Sequence, residues 1–252
     1  MAAAILTPRR QAPAGTRARD ILAWLERRGT KRNRDGMARY AIVAPKVFGV
    51  SVADLRDLSK ELGRDHALAS ALWKSRWYEA RMLTAFVDEP VRVTPAQMDR
   101  WARDFDNWAI CDALCFHLFD RTPHAWSKIE EWSQRREEFV RRAAFALLAS
   151  VALHDKETPD ARFVRALPLI ERAASDDRNF VKKAVSWALR SIGRRNVALN
   201  RKAVAVSRRL IATDEPAARW VGRDALRDLT RPMVLERAKK RDRSSVERKE
   251  RV

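Results

Sequence analysis

Trp108 and Asp112 are four residues apart, so on a helix both side chains project from the same face. Phe116 and Phe119 follow one and two turns later, which surrounds the carboxylate with aromatic rings. A carboxylate in such surroundings is able to stabilise positive charge that develops beside it. The plainer interpretation is a surface aspartate, or one that pairs with an arginine of a neighbouring helix.

The segment 179–195 forms two faces when it is placed on a helix. Its apolar arc consists of Val181, Ala184, Val185, Ala188, Leu189 and Ile192, and its opposite face of Lys183, Trp187, Arg190 and Arg194. Two interpretations fit a tryptophan within a cationic stripe. Either the ring packs under a neighbouring element above a solvated basic face, or the stripe receives a polyanion and the indole is a flat apolar contact.

Arg142 is a cation in a segment that is otherwise almost entirely apolar after it, AAFALLAS. It fits a structural ion pair, for which Asp112 is one candidate, or a contact to an anion. If the three segments stack in order, a carboxylate lies between two tryptophans and is surrounded by cations. A carboxylate on a basic groove repels phosphate, so it needs another reason to be there. One such reason is the positive charge that forms on a sugar when a glycosidic bond breaks.

A recurring pattern of amphipathic helices positions these residues. Similar segments open at intervals of 31, 31, 41 and 40 residues, on Trp77, Trp108, Phe139, Phe180 and Trp220. Further helices are predicted between them, at Thr94–Asp104, Pro123–Trp132 and Ala161–Ala174. The spacing is typical of HEAT and armadillo units, in which helix pairs stack on their neighbours. The sequence therefore predicts a right-handed α-α superhelix of HEAT-like repeats, whose second helices line a concave basic groove.

Sequence composition agrees with a folded, all-α protein that binds an anion. Hydrophobic residues make up 46% of the 252, and glycines number only 7. The 52 basic residues against 33 acidic ones give a formal net charge of +19, which predicts attraction to nucleic acid. A membrane surface is the weaker alternative, because the apolar faces are needed between helices. Cys111 and Cys115 are expected to be reduced, half-buried helix residues; neither a zinc site nor a cofactor is expected.

Three regions are predicted along the chain. Residues 1–18 read as a disordered basic arm, residues 19–230 as the repeat domain, and residues 231–252 as a basic, flexible tail. Within the domain, the first helix is expected at Arg19–Arg28 and a loop at residues 29–36. Ser51 is expected to cap a helix that continues to Leu62.

At these residues the sequence resembles the DNA alkylation repair family, whose members are alkylpurine DNA glycosylases built from HEAT-like repeats. The resemblance covers roughly residues 37–230. It rests on W-x-x-x-D at Trp108–Asp112, F-V-x-R-A-A at Phe139–Ala144 and F-x-x-K-A-x-x-W-x-L-R at Phe180–Arg190. The segments G-V-S-x-x-x-L-R at Gly49–Arg56 and L-W-K-S near Trp73 also fit.

The resemblance implies an enzyme that binds duplex DNA and excises cationic purines, such as 3-methyladenine and 7-methylguanine, without a base-flipping pocket. By this resemblance Asp112 stabilises the oxocarbenium-like sugar and positions water, and Trp108 and Trp187 cradle the deoxyribose. Arg142 holds the adjacent backbone phosphate. The further candidate DNA contacts are Lys183, Arg190, Arg194, Arg141 and Lys182.

Two rival functions stay open at this point. One is a catalytically silent relative that binds damaged or branched DNA, and the other is a HEAT-repeat scaffold for an acidic protein. For the glycosylase, the expected partner is double-stranded DNA containing alkylated bases, bound by a monomer. Its expected location is the cytoplasm, and the nucleoid when it is bound to DNA.

Overall fold

The computed structural model of the protein describes residues 12–249, in which every regular element is a helix and no strand occurs. The all-α prediction is confirmed. The described residues divide into two compact units, 12–124 and 125–249. None of the helices within residues 12–249 combines the length and the apolar character that a membrane span requires.

The described part of the first unit contains seven α-helices and three short 3-10 helices. The α-helices are α1 (Ala14–Arg28), α2 (Lys31–Met37), α3 (Val52–Leu62), α4 (His66–Lys74), α5 (Tyr78–Val87), α6 (Pro95–Arg103) and α7 (Trp108–His117). The 3-10 helices are Ala38–Tyr40, Pro90–Arg92 and Phe119–Arg121. The core forms around α5, which packs against α3, α4 and α7 and is buried on nearly all sides.

Seven α-helices also make up the described part of the second unit. They are α8 (Ala125–Trp132), α9 (Glu138–His154), α10 (Asp160–Ala173), α11 (Asn179–Gly193), α12 (Val197–Ile211), α13 (Pro216–Leu229) and α14 (Pro232–Lys249). One layer is the row α9, α11 and α13, in which neighbours contact each other; the other is the row α8, α10 and α12. Because α9 is buried from Arg142 to Ala152, it forms the centre of this unit.

The predicted recurring pattern of helices is confirmed. The five segments that open on an aromatic residue correspond to α5, α7, α9, α11 and α13. The three helices predicted between them are α6, α8 and α10, and each of these three lies within three residues of its predicted bounds. Ser51 caps α3 as expected, because its hydroxyl accepts a hydrogen bond from the Asp54 amide at 3.1 Å. Gly63 ends α3 with a φ of 70°, a conformation that glycine adopts without strain.

The structure differs from the sequence predictions in three places. The expected loop at residues 29–36 contains α2, which Thr30 caps by accepting from the Asn33 amide. The first helix begins at Ala14 rather than Arg19, because Arg17 is buried and pairs with Asp65 of the same unit.

At the other end, the region 231–252 is helical over α14, where a frayed tail was predicted. Ala238 is fully buried, and the Asp242 carboxylate accepts a hydrogen bond from the Val197 amide at the start of α12, at 3.2 Å. These contacts dock α14 on the second unit, which a charged sequence with few apolar residues does not reveal.

A buried carboxylate fixes the loop that leads into α3. Glu79 of α5 is 1% exposed and accepts hydrogen bonds from three consecutive amides, those of Phe48 (3.0 Å), Gly49 (2.6 Å) and Val50 (3.2 Å). Gly49 is required here, because its φ is 88° and a Cβ would lie 2.3 Å from the Thr30 carbonyl oxygen. The loop is therefore held by one acidic side chain.

We expect Glu79→Ala to lower the free energy of unfolding by about 3–5 kcal/mol, because three buried amides lose their acceptor. Urea denaturation followed by circular dichroism measures this. The matched control is Glu61→Ala, which removes an exposed carboxylate of α3 and is expected to change stability little. Equal stability of the two variants would contradict the role given to Glu79.

Candidate nucleic-acid interface

Trp108 and Asp112 lie on one face of α7, as the sequence predicts. Asn107 sets the start of this helix, because its side-chain oxygen accepts from the Ile110 amide at 3.0 Å. Both Trp108 and Asp112 are half-buried. The Trp108 indole N–H donates to the Tyr40 carbonyl oxygen at 2.8 Å, so the orientation of the ring is fixed by the end of a short 3-10 helix.

Sequence reasoning missed the segment around Tyr40. The following residue, Ala41, has a φ of 52°, which turns the chain sharply, and Tyr40 itself is 67% exposed. The available signal was the run ARY followed by an apolar stretch, which by itself specifies no site.

Two aromatic rings are predicted around Asp112. Phe116 is half-buried, and its ring lies 5.1 Å from that of His117. Phe119 is fully buried in a 3-10 helix just after α7. That these two rings flank the Asp112 face stays a prediction.

The two cysteines of α7 are reduced and fully buried, rather than half-buried as expected. Burial raises the pKa of the Cys115 thiol well above its ordinary value, and Cys111 and the charge of Asp112 add to that effect. These thiols are therefore part of the core behind the Asp112 face.

Arg142 is buried within α9, with 6% of its surface exposed. Its guanidinium donates to the carbonyl oxygen of Phe180 at 2.6 Å, in the first turn of α11. This bond joins two of the helices that carry predicted site residues and fixes the direction of the guanidinium.

Arg141, its neighbour, binds internal acceptors. Its side chain donates to the Ser133 carbonyl at 3.1 Å and to the Asp176 carboxylate at 2.9 Å. Burial would raise the pKa of Asp176, but hydrogen bonds and positive charge from Arg178, together with Arg141, lower the pKa below its ordinary value. The Asp176 carboxylate is thus a stable anion near the start of α11, and Arg141 is one of its ion-pair partners.

The cations of α11 and its end differ in their partners. Lys182 lies 5.4 Å from the centre of the Trp220 ring of α13, and Arg190 lies 3.5 Å from the Asp224 carboxylate. Arg194 makes a bidentate pair with Asp228, at 2.9 and 2.5 Å. The charges of the two arginines are therefore each balanced by a carboxylate of α13.

Lys183 and Trp187 are one turn apart on α11. Lys183 is exposed and forms no ion pair with any residue in the described part of the chain; Trp187 is half-buried. Of the five candidate DNA contacts, Lys183 is the one whose charge faces solvent without an internal partner. Trp108 and Asp112 belong to the first unit and Arg142, Lys183 and Trp187 to the second, so their union in one concave groove stays a prediction.

Stacked helix pairs are the architecture of HEAT-like repeat proteins, and comparisons with known proteins agree. The chain belongs to the family described as DNA alkylation repair enzyme, which it matches over residues 21–229. No curated protein matches the sequence.

A solved structure is similar in fold, with a TM-score of 0.70 and 17% sequence identity over 83% of this chain and 94% of that one. It represents "a new family of proteins related to the HEAT-like repeat DNA glycosylases with affinity for branched DNA structures". At this level of identity the likeness shows the HEAT-like fold alone.

We expect Cys111 and Cys115 to react with a thiol reagent such as DTNB at least about 100-fold more slowly in the native protein than in denaturant, because both are buried and the pKa of Cys115 is raised. The absorbance of the released thiolate measures the rate. Rapid reaction of the native protein would show that α7 opens readily, which would contradict the packing described behind Asp112.

Proposed function

We propose that the protein is a DNA N-glycosylase that excises cationic N-alkylated purines, such as 3-methyladenine and 7-methylguanine, from duplex DNA. One observation carries the proposal: within the region that matches the repair family, a half-buried carboxylate and a tryptophan share a face of α7. A carboxylate on a basic surface does not help a protein that only binds DNA. It does help cleavage of a glycosidic bond, because it stabilises the positive charge that forms on the sugar.

The proposed reaction is hydrolysis at C1′ of the alkylated nucleotide. The electrons of the C1′–N bond leave with the base and neutralise its positive charge, so no general acid is needed. The sugar becomes oxocarbenium-like, and the Asp112 carboxylate stabilises it electrostatically. Water adds to C1′ and gives its proton to Asp112 or to solvent, which leaves an abasic site.

The other site residues are proposed to hold the substrate. Trp108 and Trp187 cradle the deoxyribose, and the bond from Trp108 to the Tyr40 carbonyl keeps its ring in place. Arg142 holds the phosphate beside the lesion, with its guanidinium directed by the Phe180 carbonyl. A protein built this way works as a monomer and acts wherever the DNA is, which we propose to be the cytoplasm.

The pairing of the cations refines the candidate phosphate contacts. We assign that contact to Lys183, with Lys182 beside it, because Lys183 is exposed and makes no ion pair with a described residue. Arg141, Arg190 and Arg194 are assigned to holding helices together, because each is paired with a carboxylate.

A second candidate function is binding of branched DNA without base excision. What favours it is the likeness in fold to a protein with affinity for branched DNA structures. Excision of a base separates the two functions, since both predict binding that weakens steeply as salt rises.

We expect Asp112→Asn to reduce the rate of 7-methylguanine release from methylated duplex DNA by about 100-fold or more, because the oxocarbenium-like sugar loses its counter-charge. Chromatography of the released base measures the rate. Asp57→Asn is the matched control, since it removes an exposed carboxylate of the same unit, and it should release base at the wild-type rate. Absence of release by wild type and variant alike, with DNA binding intact, would reject the enzyme and leave the binder.

Replacing Lys183 or Arg194 by glutamine removes one positive charge in either case, and we expect different results. Lys183→Gln should reduce the slope of log affinity for duplex DNA against log salt by about 1, with stability unchanged. Arg194→Gln should leave the slope unchanged and destabilise the protein by about 1–2 kcal/mol, because Asp228 loses its partner. Fluorescence anisotropy and urea denaturation measure these quantities. A reduced slope for Arg194→Gln alone would reverse the assignment.

A further inference from the structure

A second cationic groove lies between α8 and α10, in the layer of the second unit that does not carry α9 and α11. Trp126 and Gln134 line it from the side of α8, and Arg162 and Arg165 from α10. The groove continues past Gln134 into a neighbouring hollow lined by Arg172. None of these residues belongs to the site proposed above.

Three arginines of α10 share one stripe. Arg162, Arg165 and Arg172 recur at spacings of three and seven residues, which keeps them on one helix face over about 15 Å. All three are exposed, and none pairs with a carboxylate of a described residue, whereas Arg190 and Arg194 of α11 do. The positive charge of this stripe is therefore available to a ligand.

Trp126 supplies an independent sign of a ligand. It is 8% exposed and lines the groove, yet its indole N–H is buried with no acceptor. Its ring is held on two sides, by the Arg162 guanidinium at 4.6 Å and by the Phe163 ring at 5.1 Å. A buried donor without a partner is costly, and an anionic oxygen in the groove would satisfy it.

The chemistry of the groove points to a polyanion. A row of guanidiniums about 15 Å long spans several consecutive phosphates of a DNA strand, which follow one another every ~3.4 Å along the axis. A single free phosphate would engage only one or two of them. Glu130 is the one carboxylate that lines the groove; it is exposed, so it reduces the positive potential without cancelling it.

We propose that the α8–α10 groove is a second nucleic-acid site, which binds the phosphodiester backbone of a second DNA segment such as another arm of a branched structure. The Trp126 N–H donates to one phosphate oxygen, and Arg162, Arg165 and Arg172 neutralise the phosphates along the strand. The inference rests on DNA being the ligand of this protein, but it does not depend on base excision.

The test compares a four-way junction with a linear duplex of the same length, by fluorescence anisotropy over a range of KCl concentrations. We expect Arg165→Gln/Arg172→Gln to weaken junction binding about tenfold and to reduce its salt slope by about 2, because two phosphate contacts are lost. Linear duplex binding and release of 7-methylguanine should be unchanged.

Two further variants separate this site from general charge and from folding. Arg201→Gln/Arg208→Gln removes two exposed arginines of α12 outside the groove and should leave the junction preference intact. Trp126→Phe keeps an aromatic ring and deletes the N–H; it should weaken junction binding several-fold. The smaller ring at this buried position should also lower the melting temperature, and unchanged binding to the linear duplex shows that the variant is folded.

Several results would overturn the proposal. Unchanged junction binding in Arg165→Gln/Arg172→Gln would do so, and so would an equal loss for the junction and the duplex or an equal loss in the α12 control. If Arg165→Gln/Arg172→Gln loses its binding to polyglutamate and keeps its binding to DNA, the groove is a site for an acidic protein. A lack of base excision by the wild type would reject the proposed enzyme while leaving this comparison intact.

Discussion

The contact between α11 and α13 determines which cations on α11 and at its end are available to a ligand. Along this contact Lys182 lies over Trp220, Arg190 pairs with Asp224, and Arg194 pairs with Asp228. The helix α11 also packs against the buried α9, and Lys183 of α11 is exposed. Part of the positive charge that contributes to the chain's formal net charge of +19 is therefore balanced within the protein and is not available to DNA.

The two-layer arrangement of the second unit gives it two distinct cationic surfaces. In one layer, carboxylates of α13 balance Arg190 and Arg194, and Lys183 is exposed. In the other layer, the arginines of α10 pair with no carboxylate among the described residues. A ligand that engaged both layers would have to present phosphates on two sides of this unit, which a single straight duplex does not do. Branched DNA satisfies that requirement.

Much of the fold was readable from local sequence, because helix starts, helix spacing and the Ser51 cap depend on neighbouring residues. The placement of Trp108 and Asp112 on one face follows from their spacing of four. The partners of Arg194 and Arg141 were not readable, since Asp228 and Asp176 lie more than 30 residues away and the sequence does not fix the rotation of one helix against the next. Glu79 was missed for the same reason, because the amides that donate to its carboxylate lie in a loop at least 29 residues away along the chain.

The proposed enzymatic activity depends on the Asp112 carboxylate of α7. The most direct measurement is the single-turnover rate at which the wild-type protein releases 7-methylguanine from a duplex with one such lesion, compared with spontaneous depurination of the same DNA. The proposed mechanism predicts release far above the spontaneous rate, with a rate constant that saturates as protein concentration exceeds the dissociation constant. Release at the spontaneous rate from DNA that anisotropy shows to be fully bound would contradict it.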